Sequence, residues 1–425
     1  MTKLPRQVLV APPVARHALA DPSAELAQRL NGEWGGDDWA GKRVAVGVGS
    51  RGIDRIAEMA GNVVQWLRAR GATPFIMPAM GSHGGATPEG QRGVLATYGI
   101  TESTMLAPID ASMDVVELGE MATGVQVVVS AVALGADAVV LINRVKPHTD
   151  FGSEVLGSGL LKMSAIGLGK AEGAFRCHRA ASAHGHEAVI RAVSSAVLAR
   201  LPHPYGIALV EDGAHQLSRI GLMRGAEMPG REPELYALAR SWMPALPLPD
   251  IDVLVVDQIG KNVSGAGMDT NIIGRGVDGR PMAGRRSEIR VIYARGITPE
   301  SKGNAVGIGL ADIVSTSLVD QMDPVSTYTN AVSALTPATA RIPINFRTDA
   351  ECMAAALRIS AADLSDVRIA RIRHTLALDR VVLSEACLPL VSSDVQTLVA
   401  PTEWTFGTDG NFDAATDLLA QEVSA

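Results

Sequence analysis

The chain has 425 residues, of which 47% are hydrophobic, 20% charged and 4% aromatic. This length predicts two domains, and this composition is typical of a compact globular protein and not of a disordered one. The 38 basic and 45 acidic residues give a formal net charge of −7. Because no basic block is present to bind a phosphate backbone, nucleic acid is excluded as an expected partner.

Cysteine usage and the apolar stretches predict the compartment. Cys177, Cys352 and Cys387 lie far apart in the sequence, which predicts neither a disulfide framework nor a cysteine metal site and favours a reducing environment. The N-terminal stretch is interrupted by consecutive prolines, which argues against a signal peptide. The apolar stretch 125–142 is broken by polar residues and is too short for a membrane span. We therefore expect a cytoplasmic protein with no membrane partner.

Short apolar runs alternate with helical periodicities along the whole chain, which predicts an α/β protein. Strands are predicted at 43–49, 73–77, 125–129, 138–143, 206–210, 251–256, 288–293, 367–372 and 381–383, and helices at 53–67 and about 187–201. The proline-rich segment 242–250 resists regular structure and is predicted to link two domains, 1–245 and 250–425. The predicted fold is therefore two α/β, Rossmann-like domains with an active-site cleft between them.

Active sites in open α/β sheets lie beyond the carboxyl ends of the strands, so the loops after predicted strands are where functional residues are expected. The loop 49–52 offers backbone amides and Arg51 for a phosphate or carboxylate; a tight turn with an exposed arginine is the alternative. It lacks the GxGxxG spacing of a dinucleotide site. His83 lies among small residues after the second strand, where it could transfer a proton, or could be incidental to a glycine turn. His148 follows the strand 138–143, and the two histidines could flank one substrate.

A glycine-rich turn precedes Lys162 and places this lysine among apolar residues. Such surroundings lower the pKa of an amine and make it available as a nucleophile. A lysine that extends along a helix surface is the alternative, and Lys170 is a second candidate. His184 and His186 have the spacing of a metal-binding pair, but alternate residues at the start of a helix diverge, which favours a structural role.

These loops together resemble the nickel-pincer nucleotide-dependent lactate racemase family. An arginine after the first strand, a Gly-Ser-His loop, a Pro-His loop, a Ser-Gly-x-x-Lys turn and a later histidine follow in that order. Lys162 precedes His178 by sixteen residues, which is the spacing of the cofactor-linking lysine and the nickel ligand in that family. The resemblance implies a racemase or epimerase that inverts C2 of a 2-hydroxy acid by hydride transfer to a nickel-pincer nucleotide attached covalently through Lys162.

The resemblance also implies a role for each matching residue. The implied site has His178 as the nickel ligand, His83 and His148 as the acid/base pair, Arg51, Gln258 and Lys261 on the substrate, and Ser50 and Gly159 with Lys162 on the cofactor. The partners implied are a small 2-hydroxy acid and the proteins that make the cofactor, and a homo-oligomer is compatible with the sequence.

Two departures from the family and two alternative functions stand beside this prediction. Val48 occupies a position that is acidic in the lactate racemases, and the segment between His148 and Lys162 is longer than in those enzymes, which we expect to influence substrate choice.

One alternative is a zinc-dependent hydrolase or lyase with His83, His148 and His178 as ligands, and the other is a non-catalytic small-molecule binding protein of the same fold. Neither alternative requires a lysine at position 162.

Overall fold

The computed structural model describes residues 4–50, 52–121, 124–149, 153 and 155–420 of the chain. The strands are β1 (Gln7–Ala11), β2 (Arg43–Val48), β3 (Thr73–Pro78), β4 (Val115–Glu120), β5 (Gln126–Ser130), β6 (Ala138–Arg144), β7 (Pro204–Glu211), β8 (Leu217–Arg224), β9 (Asp250–Val256), β10 (Glu288–Ala294), β11 (Ile313–Ser315), β12 (Ile344–Phe346), β13 (Ile369–Ile372), β14 (Val381–Ser384) and β15 (Gln396–Thr402). The α-helices are α1 (Pro22–Arg29), α2 (Ile56–Arg68), α3 (Pro88–Thr97), α4 (Glu102–Met105), α5 (Ala131–Leu134), α6 (Leu160–Lys162), α7 (Lys170–His184), α8 (His186–Leu198), α9 (Met228–Trp242), α10 (Thr270–Ile273), α11 (Thr316–Asp320), α12 (Pro324–Ser333) and α13 (Asp349–Ser360).

The chain forms two compact units. The N-terminal unit comprises Ala15–Pro147 and Ser153–Met243, and the C-terminal unit comprises Met1–Val14, His148–Gly152 and Pro244–Ala425. The first unit contains a five-stranded sheet and the β4–β5 hairpin, and the second contains an eight-stranded sheet.

The sheet of the N-terminal unit has the strand order β3-β2-β6-β7-β8, in which all strands except β8 run parallel. Its central strands are continuous apolar runs because helices cover both faces of a parallel sheet. One face packs against a core that includes Trp34, Trp39 and Trp66 and the buried side of α2. The strand order reverses between β2 and β6, and the crevice beyond the carboxyl ends of such a pair is where open α/β sheets bind ligands.

The sheet of the C-terminal unit has the order β12-β11-β10-β9-β13-β14-β1-β15, with the first five strands parallel. Here the order reverses between β9 and β13. At the carboxyl end of β9, Asp257 accepts hydrogen bonds from Arg371 at 2.8 Å and Arg295 at 2.8 Å, and the Arg371 side chain is almost completely buried. Paired charges of this kind are tolerated in an interior because each one satisfies the other, and they hold the end of β9 in place.

The predicted α/β class is confirmed, and each predicted strand is present with bounds that differ by one or two residues. The strand β1 is not predicted from the sequence; it pairs antiparallel with β14 and β15, at the opposite end of the chain. No helix in the described part of the chain combines the length and the apolar character that crossing a membrane requires.

Candidate active site

The loops after β2 and β3 meet at the edge of the N-terminal sheet. The hydroxyl of Ser50 and Nδ1 of His83 share a hydrogen bond, and the Tyr98 hydroxyl donates to the Ser50 carbonyl at 2.7 Å. The His83 side chain is exposed, and its ring orientation is set by the bond to Ser50. Two predicted site residues from different loops are therefore in direct contact.

Asn143, near the carboxyl end of β6, links these loops to the turn that contains the candidate lysine. Its Nδ2 donates to the carbonyl of Gly159 at 2.8 Å, and a Cβ atom on Gly49 would lie 3.0 Å from its Oδ1. The backbone of Gly81 also donates to the carbonyl of Gly167, at 3.1 Å. The turn around Gly159 therefore lies near the ends of β2 and β6, between which the strand order reverses, and the segment after β3 contacts Gly167.

Lys162 is the last residue of α6, and a π-helical turn, Met163–Gly167, separates it from α7. Lys162 is half-buried, whereas the residues of the π-helical turn are buried. The sequence-based expectation of a lysine among apolar residues after a glycine-rich turn matches this local environment.

Lys170, the second lysine candidate, is in a different environment. Only 1% of the residue is exposed, and its Nζ donates to the carbonyl of Pro78 at 2.8 Å. Burial lowers the pKa of its amine to about 8. Its backbone has a φ of 53°, the left-handed region that non-glycine residues rarely adopt. An amine enclosed in this way has no room for an attached nucleotide.

The lowered pKa of Lys170 makes a prediction about stability. Because the folded protein releases this proton near pH 8 and the unfolded chain near its usual pKa of 10.5, the free energy of unfolding should rise with pH between those values. The slope due to one such group is at most about 1.4 kcal/mol per pH unit. We expect urea unfolding at several pH values to give a smaller rise in Lys170→Met than in the wild type, and equal slopes would contradict the buried position of this amine.

His178 lies on α7 and is half-buried. The ring of His186, the first residue of α8, lies beside it, with 6.1 Å between ring centroids and an angle of 68° between the ring planes. His184, in contrast, is exposed. The expectation that His184 and His186 diverge therefore agrees with their different surroundings, and His186 is a neighbour of the predicted nickel ligand.

The remaining predicted site residues belong to the C-terminal unit or lie outside the described residues. The carbonyl of His148 accepts a hydrogen bond from Asn271 at 3.2 Å, so its backbone is held by α10. Gln258 follows β9, and its backbone N–H donates to the backbone carbonyl of Arg373 at 2.8 Å. Arg51 lies outside the described residues.

Lys261 is in the same loop as Gln258, beyond the point where the order of the C-terminal sheet reverses. Its Nζ donates to the carbonyl of Gly265 at 2.5 Å and to Oδ1 of Asn330 at 2.9 Å. Both Gln258 and Lys261 thus follow the strand end at which a ligand is expected in this sheet.

Three residues of the N-terminal site were not predicted from the sequence. Asn143 could have been found, because it is a polar residue at the end of an apolar strand. Glu232 and Tyr236 hold the turn that contains Lys162, but they belong to α9, whose many charged residues indicate a solvent-exposed helix. Only the packing of α9 shows that these two side chains are buried.

The described residues contain no group of three or more His, Cys, Asp or Glu side chains that is arranged to hold a metal ion. The three-histidine zinc site considered from the sequence therefore has no matching preformed group in this part of the chain.

Comparison with known proteins gives a family for the N-terminal region. Residues 50–189 match the family model described as the lactate racemase N-terminal domain. No curated protein sequence matches the chain significantly.

The solved structures that are similar to the chain include the following two. A protein from Thermotoga maritima shares 14% sequence identity with a TM-score of 0.52, over 86% of this chain and 99% of that protein, which shows a shared fold. The lactate racemase apoprotein from Thermoanaerobacterium thermosaccharolyticum shares 14% identity with a TM-score of 0.49, over 85% of this chain and 93% of that protein. The resemblance found in the motifs is confirmed by the family model for residues 50–189, the region that is similar to the lactate racemase N-terminal domain.

Proposed function

We propose that the protein is a racemase or epimerase that inverts C2 of a 2-hydroxy acid and depends on a nickel-pincer nucleotide attached through Lys162. The observation that carries the proposal is the convergence of Ser50, His83 and the Gly159–Lys162 turn at the edge where the strand order of the N-terminal sheet reverses. This convergence lies within the region that matches the lactate racemase N-terminal domain.

The residues around this turn fit the proposed cofactor in their chemistry. Lys162 is half-buried whereas Lys170 is almost completely buried, which favours Lys162 as the attachment site. Imidazole is an ordinary ligand for nickel, which suits His178. Gly49 and Gly159 leave room for the side chains of Asn143 and Glu232, since a Cβ atom would lie 3.0 Å from Oδ1 of Asn143 or 2.5 Å from Oε1 of Glu232. Ser50 and Gly159 are the residues that we assign to cofactor contact.

When bound, the nickel-pincer nucleotide supplies an acceptor for the hydride at C2 of the substrate, which avoids removing a proton next to a carboxylate. His83 would accept the proton of the substrate hydroxyl, with its ring oriented by Ser50. His148 would do the same for the other enantiomer, because the two enantiomers present their hydroxyl groups on opposite sides.

The substrate carboxylate requires cationic and hydrogen-bonding groups. We assign this role to Arg51, Gln258 and Lys261. A charge-assisted hydrogen bond from Lys261 or Arg51 would hold the carboxylate while the configuration at C2 changes. The proteins that make the cofactor are the partners that this proposal requires.

The proposal is tested by producing the chain together with the cofactor-biosynthesis proteins and incubating it with single enantiomers of 2-hydroxy acids of different side-chain length. Chiral chromatography should show conversion of at least one acid to its mirror image or epimer. With a substrate deuterated at C2, hydride transfer predicts that the product keeps the label. Loss of the label to water would indicate proton abstraction instead, and binding without conversion by the fully loaded protein would favour the non-catalytic alternative.

His186 provides a further prediction, since groups beside a metal-binding histidine orient it and tune its affinity. We expect His186→Ala to weaken nickel retention by about tenfold, because its ring lies beside that of His178. The exposed His184 is the matched control, and His184→Ala should retain nickel like the wild type. Nickel content after dialysis against increasing chelator concentrations measures the effect, and equal retention by the two variants would contradict it.

A further inference from the structure

Helix α9 presents two buried polar side chains, one helical turn apart, to the segment before Lys162. Glu232 is 1% exposed and Tyr236 is 2% exposed. Oε2 of Glu232 accepts hydrogen bonds from the backbone amides of Leu160 at 2.5 Å and Leu161 at 3.1 Å. The Tyr236 hydroxyl donates to the carbonyl of Ser153 at 2.7 Å. One face of α9 therefore holds both ends of the segment that leads to Lys162.

The two glycines of this segment are explained by the same contacts. A Cβ atom on Gly159 would lie 2.5 Å from Oε1 and 2.6 Å from Cδ of Glu232. A Cβ atom on Gly157 would lie 2.6 Å from Cε2 of Tyr236 and 2.3 Å from the carbonyl oxygen of Lys146. Gly159 is thus required because Glu232 of α9 lies directly against it, and Gly157 because both the Lys146 carbonyl and Tyr236 of α9 do, which relates the glycine-rich turn to α9.

A glutamate is rarely buried where a side chain serves only to fill space in the core. Burial raises the pKa of its carboxyl to about 7, although the two backbone amides act in the opposite direction. No ion pair with Glu232 is present in the described part of the chain. An apolar residue at this position would avoid the cost of burying a carboxyl group but would leave the first two amides of α6 without this acceptor.

We propose that Glu232 is a positioning residue for Lys162: by accepting the first two backbone amides of α6, its carboxyl group fixes the short turn that ends at Lys162. The inference rests on the proposed function for the importance of Lys162, since an attachment residue must be held in one geometry to react. Glu232 accepts these hydrogen bonds from backbone amides, and we assign it no part in the chemistry.

The reach of the side chain and its charge can be separated by two substitutions. Glu232→Asp keeps the carboxyl group but shortens the side chain by one methylene, so the hydrogen bonds from the amides of Leu160 and Leu161 should both be lost. Glu232→Gln removes the charge but keeps an oxygen at the same distance from the backbone of α9, so both hydrogen bonds should remain. Tyr236→Phe is the matched control on the same face of α9, because it removes a buried hydrogen bond without touching Leu160 or Leu161.

The experiment uses the full chain without cofactor, so its outcome does not depend on whether the nucleotide is attached. Hydrogen–deuterium exchange of a peptide containing Leu160 and Leu161 should be about tenfold faster in Glu232→Asp, which corresponds to the loss of a buried hydrogen bond. The rate of acetylation of Lys162 by acetic anhydride, relative to the exposed Lys302 in the same sample, should also change severalfold. Glu232→Gln and Tyr236→Phe should match the wild type in both measurements.

If these amides exchange and Lys162 is acetylated in Glu232→Asp at the same rates as in the wild type, the proposal is overturned. Faster exchange without any change in acetylation would also overturn it, since this would leave Glu232 with a structural role only. If Glu232→Asp does not fold, Glu232→Gln still tests the proposal. Altered acetylation of Lys162 in Glu232→Gln, with both hydrogen bonds retained, would contradict the claim that these hydrogen bonds position Lys162. Failure of nucleotide attachment in the wild type would contradict the proposed function but leave these results unaffected.

Discussion

The Lys162→Ala variant is expected to lose the attached nucleotide and with it all measurable racemisation, a loss of at least about three orders of magnitude, because the cofactor carries the difficult step. Lys170→Met is expected to keep both the nucleotide and the activity. The difference follows from the surroundings of the two amines: Lys162 is half-buried, whereas Lys170 is 1% exposed and donates to the Pro78 carbonyl. Intact-protein mass and a chiral assay on the same preparations measure both properties.

Methionine is chosen at position 170 because it nearly matches the volume of lysine and so avoids a cavity. The thermal unfolding of the Lys170→Met variant should be recorded on the same preparations, so that a loss of folded protein is not mistaken for a loss of nucleotide attachment. A Lys170→Met variant that folds but carries no nucleotide, together with an active Lys162→Ala variant, would reverse the assignment of the two lysines.

Gly159→Ala is expected to lower the free energy of unfolding by about 2 kcal/mol and to impair attachment at Lys162, since extra volume in a well-packed site costs about 1–3 kcal/mol. The backbone of Gly159 is extended, with φ of 177°, so alanine is not strained there by its own conformation. The cost arises from contact alone, because the added Cβ would lie 2.5–2.8 Å from the carboxyl group of Glu232.

Gly93→Ala is the matched control for this substitution. Gly93 lies within α3, and no atom lies within 4 Å of an added Cβ. Alanine there should stabilise the protein by up to about 1 kcal/mol, as is usual within a helix. Urea unfolding measures both variants. A double variant of Gly159→Ala with Glu232→Ala should cost less than the sum of the single changes, whereas additive costs would show that the two residues do not interact.

The strands and the location of the N-terminal site were predictable because both depend on local patterns. Apolar runs such as 43–49 and 138–143 identify buried parallel strands. Ser50 follows the first run, and Asn143 ends the second, where its side chain donates to the carbonyl of Gly159. Periodicity and strand order therefore account for much of this site.

Contacts between residues far apart in the sequence could not be predicted in the same way. Strand β1 pairs with residues almost at the other end of the chain, and nothing near it indicates its partner. Glu232 lies among charged residues of α9, and its burial is a property of how α9 packs against the turn at Gly159. The choice of Lys162 over Lys170 came from the sixteen-residue spacing to His178 in the sequence, whereas the near-complete burial of Lys170 is a property of the fold that its local sequence does not reveal.

The central claim is that Lys162 carries a nickel-pincer nucleotide, and mass spectrometry of the chain produced with the cofactor-biosynthesis proteins tests it most directly. Intact mass followed by peptide mapping should show an added nucleotide on Lys162, and elemental analysis of the same sample should show an equimolar amount of nickel. An unmodified Lys162 in a preparation that contains zinc, or an added mass on Lys170, would contradict the account.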